Sequence, residues 1–96
     1  MAEIPVRLHP LAADEADTAR LHYRAHSAQV AEAFVAELDA TVAAIADGAR
    51  RWPRLYVRFR RYPMRRFPFS VVYVERANCI EITAVAHHRR RPGHRA

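Results

Sequence analysis

The sequence predicts a two-layer α+β domain with the order strand, helix, helix, strand, strand, strand. Three observations carry that reading. Apolar residues recur every three to four positions from Leu11 to Ala46, with one break at His26-Ser27. From Leu55 to His87 the repeat changes to two, interrupted by two turns. A short alternating run, Ile4 to Leu8, precedes the helices. Two helices laid on one face of a small sheet, with the other face free, is the packing this order favours.

In Ile4–Leu8, Ile4, Val6 and Leu8 face one way while Pro5 and Arg7 face the other, which makes a first strand. His9-Pro10 breaks it, and proline is tolerated in the first turn of a helix. Asp14, Glu15 and Asp17 then complement the positive end of a helix dipole. Ala12, Ala16, Ala19 and Tyr23 form the apolar stripe of a first helix over 11–26. Ser27 is the expected N-cap of a second helix. Its wider apolar face comprises Val30, Phe34, Leu38, Ile45, Ala31, Val35 and Val42, and Asp47-Gly48 ends it with a left-handed glycine turn. The break between the helices is short enough to require an antiparallel hairpin.

Residues 50–53 read as a loop anchored by Trp52. In the strand that follows, Leu55, Val57 and Phe59 alternate with Tyr56, Arg58 and Arg60. Tyr62-Pro63-Met64 turns the chain into a third strand, 65–75. Arg76-Ala77-Asn78 turns it again into a fourth, 80–87. There Ile80, Ile82, Ala84 and Ala86 share one face, and Glu81, Thr83, Val85 and His87 take the other.

The chain has 96 residues, enough for one domain over 1–96, with a flexible basic tail from about residue 89. Apolar residues make up 51%, which supports a packed core. No run approaches the roughly 18 apolar residues of a membrane span, and MAEIPVRLHP lacks the apolar core of a secretory signal. Cys79 is the only cysteine, so no internal disulfide forms and a cytoplasmic protein is expected. Two glycines cannot build a phosphate-cradling loop, and no nucleophile elbow appears, so no cofactor is expected. His22 and His26 have the i, i+4 spacing of metal ligands, but no third ligand accompanies them, and a solvent-facing pair is the better reading. Most of the aromatics alternate with valines along strands and read as core rather than as a base-stacking platform.

Charge is distributed unevenly. Residues 1–49 hold three arginines against eight acids, whereas residues 50–96 hold thirteen arginines against Glu75 and Glu81. Lysine is absent. Such asymmetry within one domain points to a basic face for an anionic partner. Arg58 and Arg60 share a side of the second strand, on the sheet face expected to be free. Antiparallel connection brings the end of the second strand, the start of the third and the end of the fourth to one edge. That edge gathers Arg60, Arg61, Arg65, Arg66, His87, His88, Arg89 and Arg90, with Arg91 and His94 following in the tail. Guanidinium groups bind phosphate or carboxylate in bidentate fashion and stay charged at any working pH. Beside them His87 favours its neutral form, as a general base requires.

The segments RRFPFSVVY and IEITAVAHHRRRPG, with Trp52-Pro53 ahead of them, resemble the RelE/ParE toxin superfamily. The resemblance covers nearly the whole chain and is most specific in Arg65–Gly93. It implies a RelE/ParE-like fold and the toxin of a bacterial type II toxin–antitoxin system, with growth inhibition and plasmid stabilisation as its effects. A cognate antitoxin, acidic where it meets the arginines and encoded alongside, would neutralise it. The ParE-like wording of the FPF and AVAH segments implies DNA gyrase as target. A RelE-like ribosome-dependent messenger RNA endonuclease is the alternative. It would use His87, Arg58 and Arg66 for cleavage, since there is no lysine to serve. A small basic RNA-binding protein is a further alternative, and a dimer or larger toxin–antitoxin assembly is left open.

Overall fold

The computed structural model describes residues 5–48 and 59–89. β1 (Val6–Leu8) ends at His9-Pro10, and α1 (Pro10–Arg24) begins there. The His9 imidazole caps the helix by accepting the Leu11 amide at 3.1 Å. Asp14, Glu15 and Asp17 lie past the first turn, so they do not serve the helix dipole as expected. Asp17 pairs with Arg20 at 2.8 Å, and Glu15 reaches the sheet. Ala12 and Ala19 are buried, with Ala16 and Tyr23 packed on the core beside them. After Ala25-His26-Ser27 the chain enters α2 (Ala28–Gly48), where the Ser27 Oγ accepts the Val30 amide at 3.4 Å. Phe34 and Ile45 are fully buried, but Val30 is exposed, outside the face assigned to it. Gly48 remains helical, and among the described residues no glycine has positive φ, so the expected left-handed turn there is not formed.

The sheet contains β1, β2 (Phe59–Pro63), β3 (Phe69–Glu75) and β4 (Ile80–His87) in the order β1-β4-β3-β2. β1 runs parallel to β4, and the other two pairs are antiparallel. The helix hairpin is thus the crossover that lets the first strand lie beside the last. The expected start of β2 at Leu55, and Trp52, lie outside the described residues. Tyr62 and Pro63, read as a turn, belong to β2, where proline is tolerated because β2 is an edge strand. β3 begins at Phe69, not Arg65, because Glu37 of α2 holds the amides of Arg65 and Arg66 away from any ladder.

Two phase changes set which side chains meet the helices. Tyr73 pairs with Ile82 and Val72 with Ala84, so Thr83 is the extra residue of a β-bulge. Its hydroxyl donates to the Val72 carbonyl at 3.3 Å. Beyond the bulge Val85, not Ala84, joins Ile80 and Ile82 on the core side, and His87 follows it there. In β2, Arg60 stands opposite Tyr73 and Tyr62 opposite Val71, so Arg60 lies on the helix side. Phe59, opposite Val74, faces the other way, the reverse of the sequence reading. That other face is not an open platform: Ser70, Val72, Val74 and Ala86 on it are buried.

The core joins Ala12, Ala19, Phe34 and Ile45 of the helices to Met64, Phe69, Val71, Tyr73, Ile80, Ile82 and Val85. Tyr23, Phe34, Phe67 and Phe69 pack with centroids 5.1–6.3 Å apart, in the edge-to-face and tilted arrangements that aromatic quadrupoles favour. Burial among these rings pushes the Tyr23 hydroxyl's pKa above its ordinary value.

Candidate functional site

Strand register brings two of the basic segments to one end of the sheet. Pro63 stands opposite Ser70, and Phe69 opposite His87. The connection 64–68 and the segment 88–89 therefore emerge side by side, joined by the His88 amide donating to the Pro68 carbonyl at 2.8 Å. Arg65, Arg66, His87, His88 and Arg89 share this end. Arg60 and Arg61 do not, for they lie within β2 opposite Tyr73 and Val72. Arg58, Arg90, Arg91 and His94 fall outside the described residues.

The cations are not equivalent. Arg60 is the most enclosed, with its guanidinium 3.4 Å from Glu75 and beside Tyr73. Burial pushes the Tyr73 hydroxyl up to about 12, with the Arg60 charge opposing the shift and the Glu75 charge adding to it. Arg66 is committed to Glu37: its Nε donates to Oε1 at 3.0 Å, while the amides of Arg65 and Arg66 donate to Oε2 at 2.6 and 3.0 Å. Burial alone would raise the Glu37 pKa, but these three bonds and the Arg66 charge outweigh it and hold the carboxyl below its ordinary value. The Arg66 side chain stays largely exposed, so it can still meet a partner. Arg61, Arg65 and Arg89 form no ion pair with any described residue. Among the described arginines of the basic half, Arg60, Arg66 and Arg76 are the ones held in ion pairs.

The two histidines are placed by different contacts. His87 lies on the helix side, its ring edge-on to Phe69 with centroids 5.0 Å apart. Its Nδ1 accepts the Arg89 amide at 3.0 Å, which fixes the start of the segment that follows. His88 turns to the opposite face, where its Nε2 lies 3.0 Å from the Ser70 Oγ. A groove of about 590 Å³ opens beside His87, between α1 and the end of β4, and Leu11, His22 and Arg89 border it. Its acid Glu15 accepts the Val85 amide at 2.9 Å, replacing the ladder partner that short β1 does not reach. His22 and His26 are exposed, their ring centroids 5.3 Å apart and their planes tilted by 51°, and no metal-binding cluster occurs among the described residues.

Sequence reasoning found the shared end of the sheet but missed Glu37, Glu15 and the Arg60–Glu75 pair. The partners in the Glu37 clamp are 28 and 29 positions apart, and those of the Glu15 bond 70, so no local spacing signals them.

The family model described as ParE toxin of type II toxin–antitoxin system, parDE, matches residues 6–92. Among solved structures the chain is similar to one described as the chromosomal ParDE TA system from P. aeruginosa. The TM-score is 0.79 at 19% identity, covering 88% of this chain and 96% of that one, a likeness that carries the fold alone. No curated protein matches the chain in sequence.

Proposed function

The chain belongs to the ParE toxin family of type II toxin–antitoxin systems, and from that premise we propose that it arrests growth by inhibiting DNA gyrase until a cognate antitoxin neutralises it. The observation that carries the proposal is the family match over residues 6–92. The site's geometry supports a binding role over a cleaving one. Arg65 and Arg89 form no ion pair with any described residue, and Arg66 remains exposed above its clamp, so this end of the molecule can engage carboxylates of a protein surface. Cleavage would need a base and cations converging on one phosphate. Arg60 is held by Glu75 on the helix side, Arg66 by Glu37, and the Nδ1 of His87 is occupied by the Arg89 amide.

The antitoxin is an acidic chain encoded alongside, contacting the arginines of the basic end. The protein acts in the cytoplasm, where gyrase and DNA are found, and loss of the shorter-lived antitoxin would stabilise a plasmid carrying the pair. Among the described residues no helix is long and apolar enough to cross a membrane.

Induced expression in a bacterial host tests the reading. Growth arrest with the SOS response and gyrase-linked DNA breaks is expected, relieved by co-expression of the neighbouring acidic gene product. Translation arrest with codon-specific messenger cleavage would replace this target with the ribosome. Unimpaired growth would overturn the toxin reading itself.

A further inference from the structure

The groove beside His87 has an occupant within reach. It runs between α1 and the part of β4 that extends past β1. Pairing with β1 stops at Ile82, so residues 83–87 have no strand on that side among those described. The α1 wall carries Asp14 and Glu15. Asp14 is exposed and forms no ion pair with any described residue, while Glu15 accepts the Val85 amide beside it. The floor is apolar, with Phe69 and Val85 buried, and Leu11 stands 64% exposed at the rim.

The chain itself arrives at this groove. Arg89, the last described residue, borders it, and the His87 Nδ1 holds its amide at 3.0 Å. The residues that follow, 90–96, include Arg90, Arg91 and Arg95 and no acid. Two courses lead away from Arg89. Outward over the sheet end stand Arg65 and Arg66, whose like charge repels the tail. Back along β4 stand Asp14 and Glu15, which attract it. Seven residues extend to about 23 Å, and residues 83–87 rise about 13 Å, so the tail can span the groove. Arginine stems are apolar, so they can cover Leu11 while their guanidinium groups reach the acids. Pro92 is no obstacle there, because proline is tolerated at the edge of a sheet.

We propose that the basic segment 90–95 docks within its own chain, in the groove between α1 and the end of β4, with its arginines on Asp14 and Glu15. Exposed ion pairs are individually weak and screened by salt, so the contact opens readily, and a partner that needs those arginines must displace it. The contact is internal to the chain whatever the target of the basic end, so its failure would leave the toxin reading standing.

Disulfide trapping in the full chain tests it, with Cys79→Ser removing the native thiol. Thr18→Cys, at an exposed position on the α1 wall, is combined with Gly93→Cys in the tail. The control combines Gly93→Cys with Pro68→Cys, at an exposed position on the sheet end whose carbonyl holds the His88 amide. An undocked tail samples both sites and favours Pro68, which lies beside its root. A docked tail raises the local concentration at the groove, so under mild oxidation the bridge to position 18 should close about tenfold faster than the control. Asp14→Arg, and separately high salt, should bring that rate down to the control rate with circular dichroism unchanged. Equal rates for the two pairs, or a faster control, would overturn the proposal. So would a rate at position 18 that either Asp14→Arg or salt leaves unchanged.

Discussion

Glu37 is the residue that shapes the basic end, because one carboxylate organises two backbone amides and a guanidinium from a segment 28 to 29 positions away. Replacing it with glutamine keeps an acceptor but removes the charge, and should lower stability by about 1–2 kcal/mol at neutral pH. The pH dependence has a definite sign. The folded-state pKa of Glu37 is lowered, so its contribution is complete above the ordinary carboxylate value of 4.5 and is lost as pH falls through the depressed value. Urea midpoints of wild type and Glu37→Gln should therefore differ at pH 7 and converge in acid. A gap of equal size at both ends would contradict the clamp. Tyr73 gives the opposite sign at high pH. Its pKa is pushed up from 10.0 to about 12, so the neutral form is favoured by folding and stability declines as pH rises above 10. In a phenolate absorbance titration of the chain's four tyrosines, where Tyr23 also ionises above its ordinary value, Tyr73→Phe should remove a late step.

At the scale of elements, the fold depends on where strand phase changes. The bulge at Thr83 places Val85 inward at 1% exposure and leaves Ala84 half-buried on the other face. Val85→Ala should cost about 2 kcal/mol by denaturant unfolding, and Ala84→Ser less than about 0.5 kcal/mol. Plain alternation through Ala84 requires the reverse order. Much of this architecture was legible beforehand. Helical periodicity located both helices to within about two residues at most ends, and β4 has the bounds that alternation assigned, Ile80–His87. The bulge was not legible because alanines at 84 and 86 fit either face. The side of β2 was missed for a related reason. Phe59 looks like a core residue and Arg60 like a surface one, but register with β3 turns Arg60 inward, where Glu75 compensates it. The basic end was legible as topology, since antiparallel strands must return to a common edge. Which arginines remain uncompensated there was not, because that depends on acids contributed by α2 and β3.

Across the whole molecule, charge separates into an acidic helix hairpin and a basic sheet end. The arginines differ in consequence according to their partners. Reversing Arg65 and Arg89 together should leave the melting temperature close to wild type, because neither is in an ion pair with a described residue. The same double change should weaken target inhibition by about tenfold or more, with a salt dependence that flattens as the charges are removed. Arg60→Glu should instead destabilise the fold, because it places two carboxylates together beside buried Tyr73. The most direct test of the central claim is a supercoiling assay with purified gyrase and the full chain. The account predicts dose-dependent loss of supercoiling, reversed by the acidic antitoxin and blunted in the Arg65/Arg89 double reversal. Undiminished supercoiling at toxin in molar excess over gyrase would contradict it.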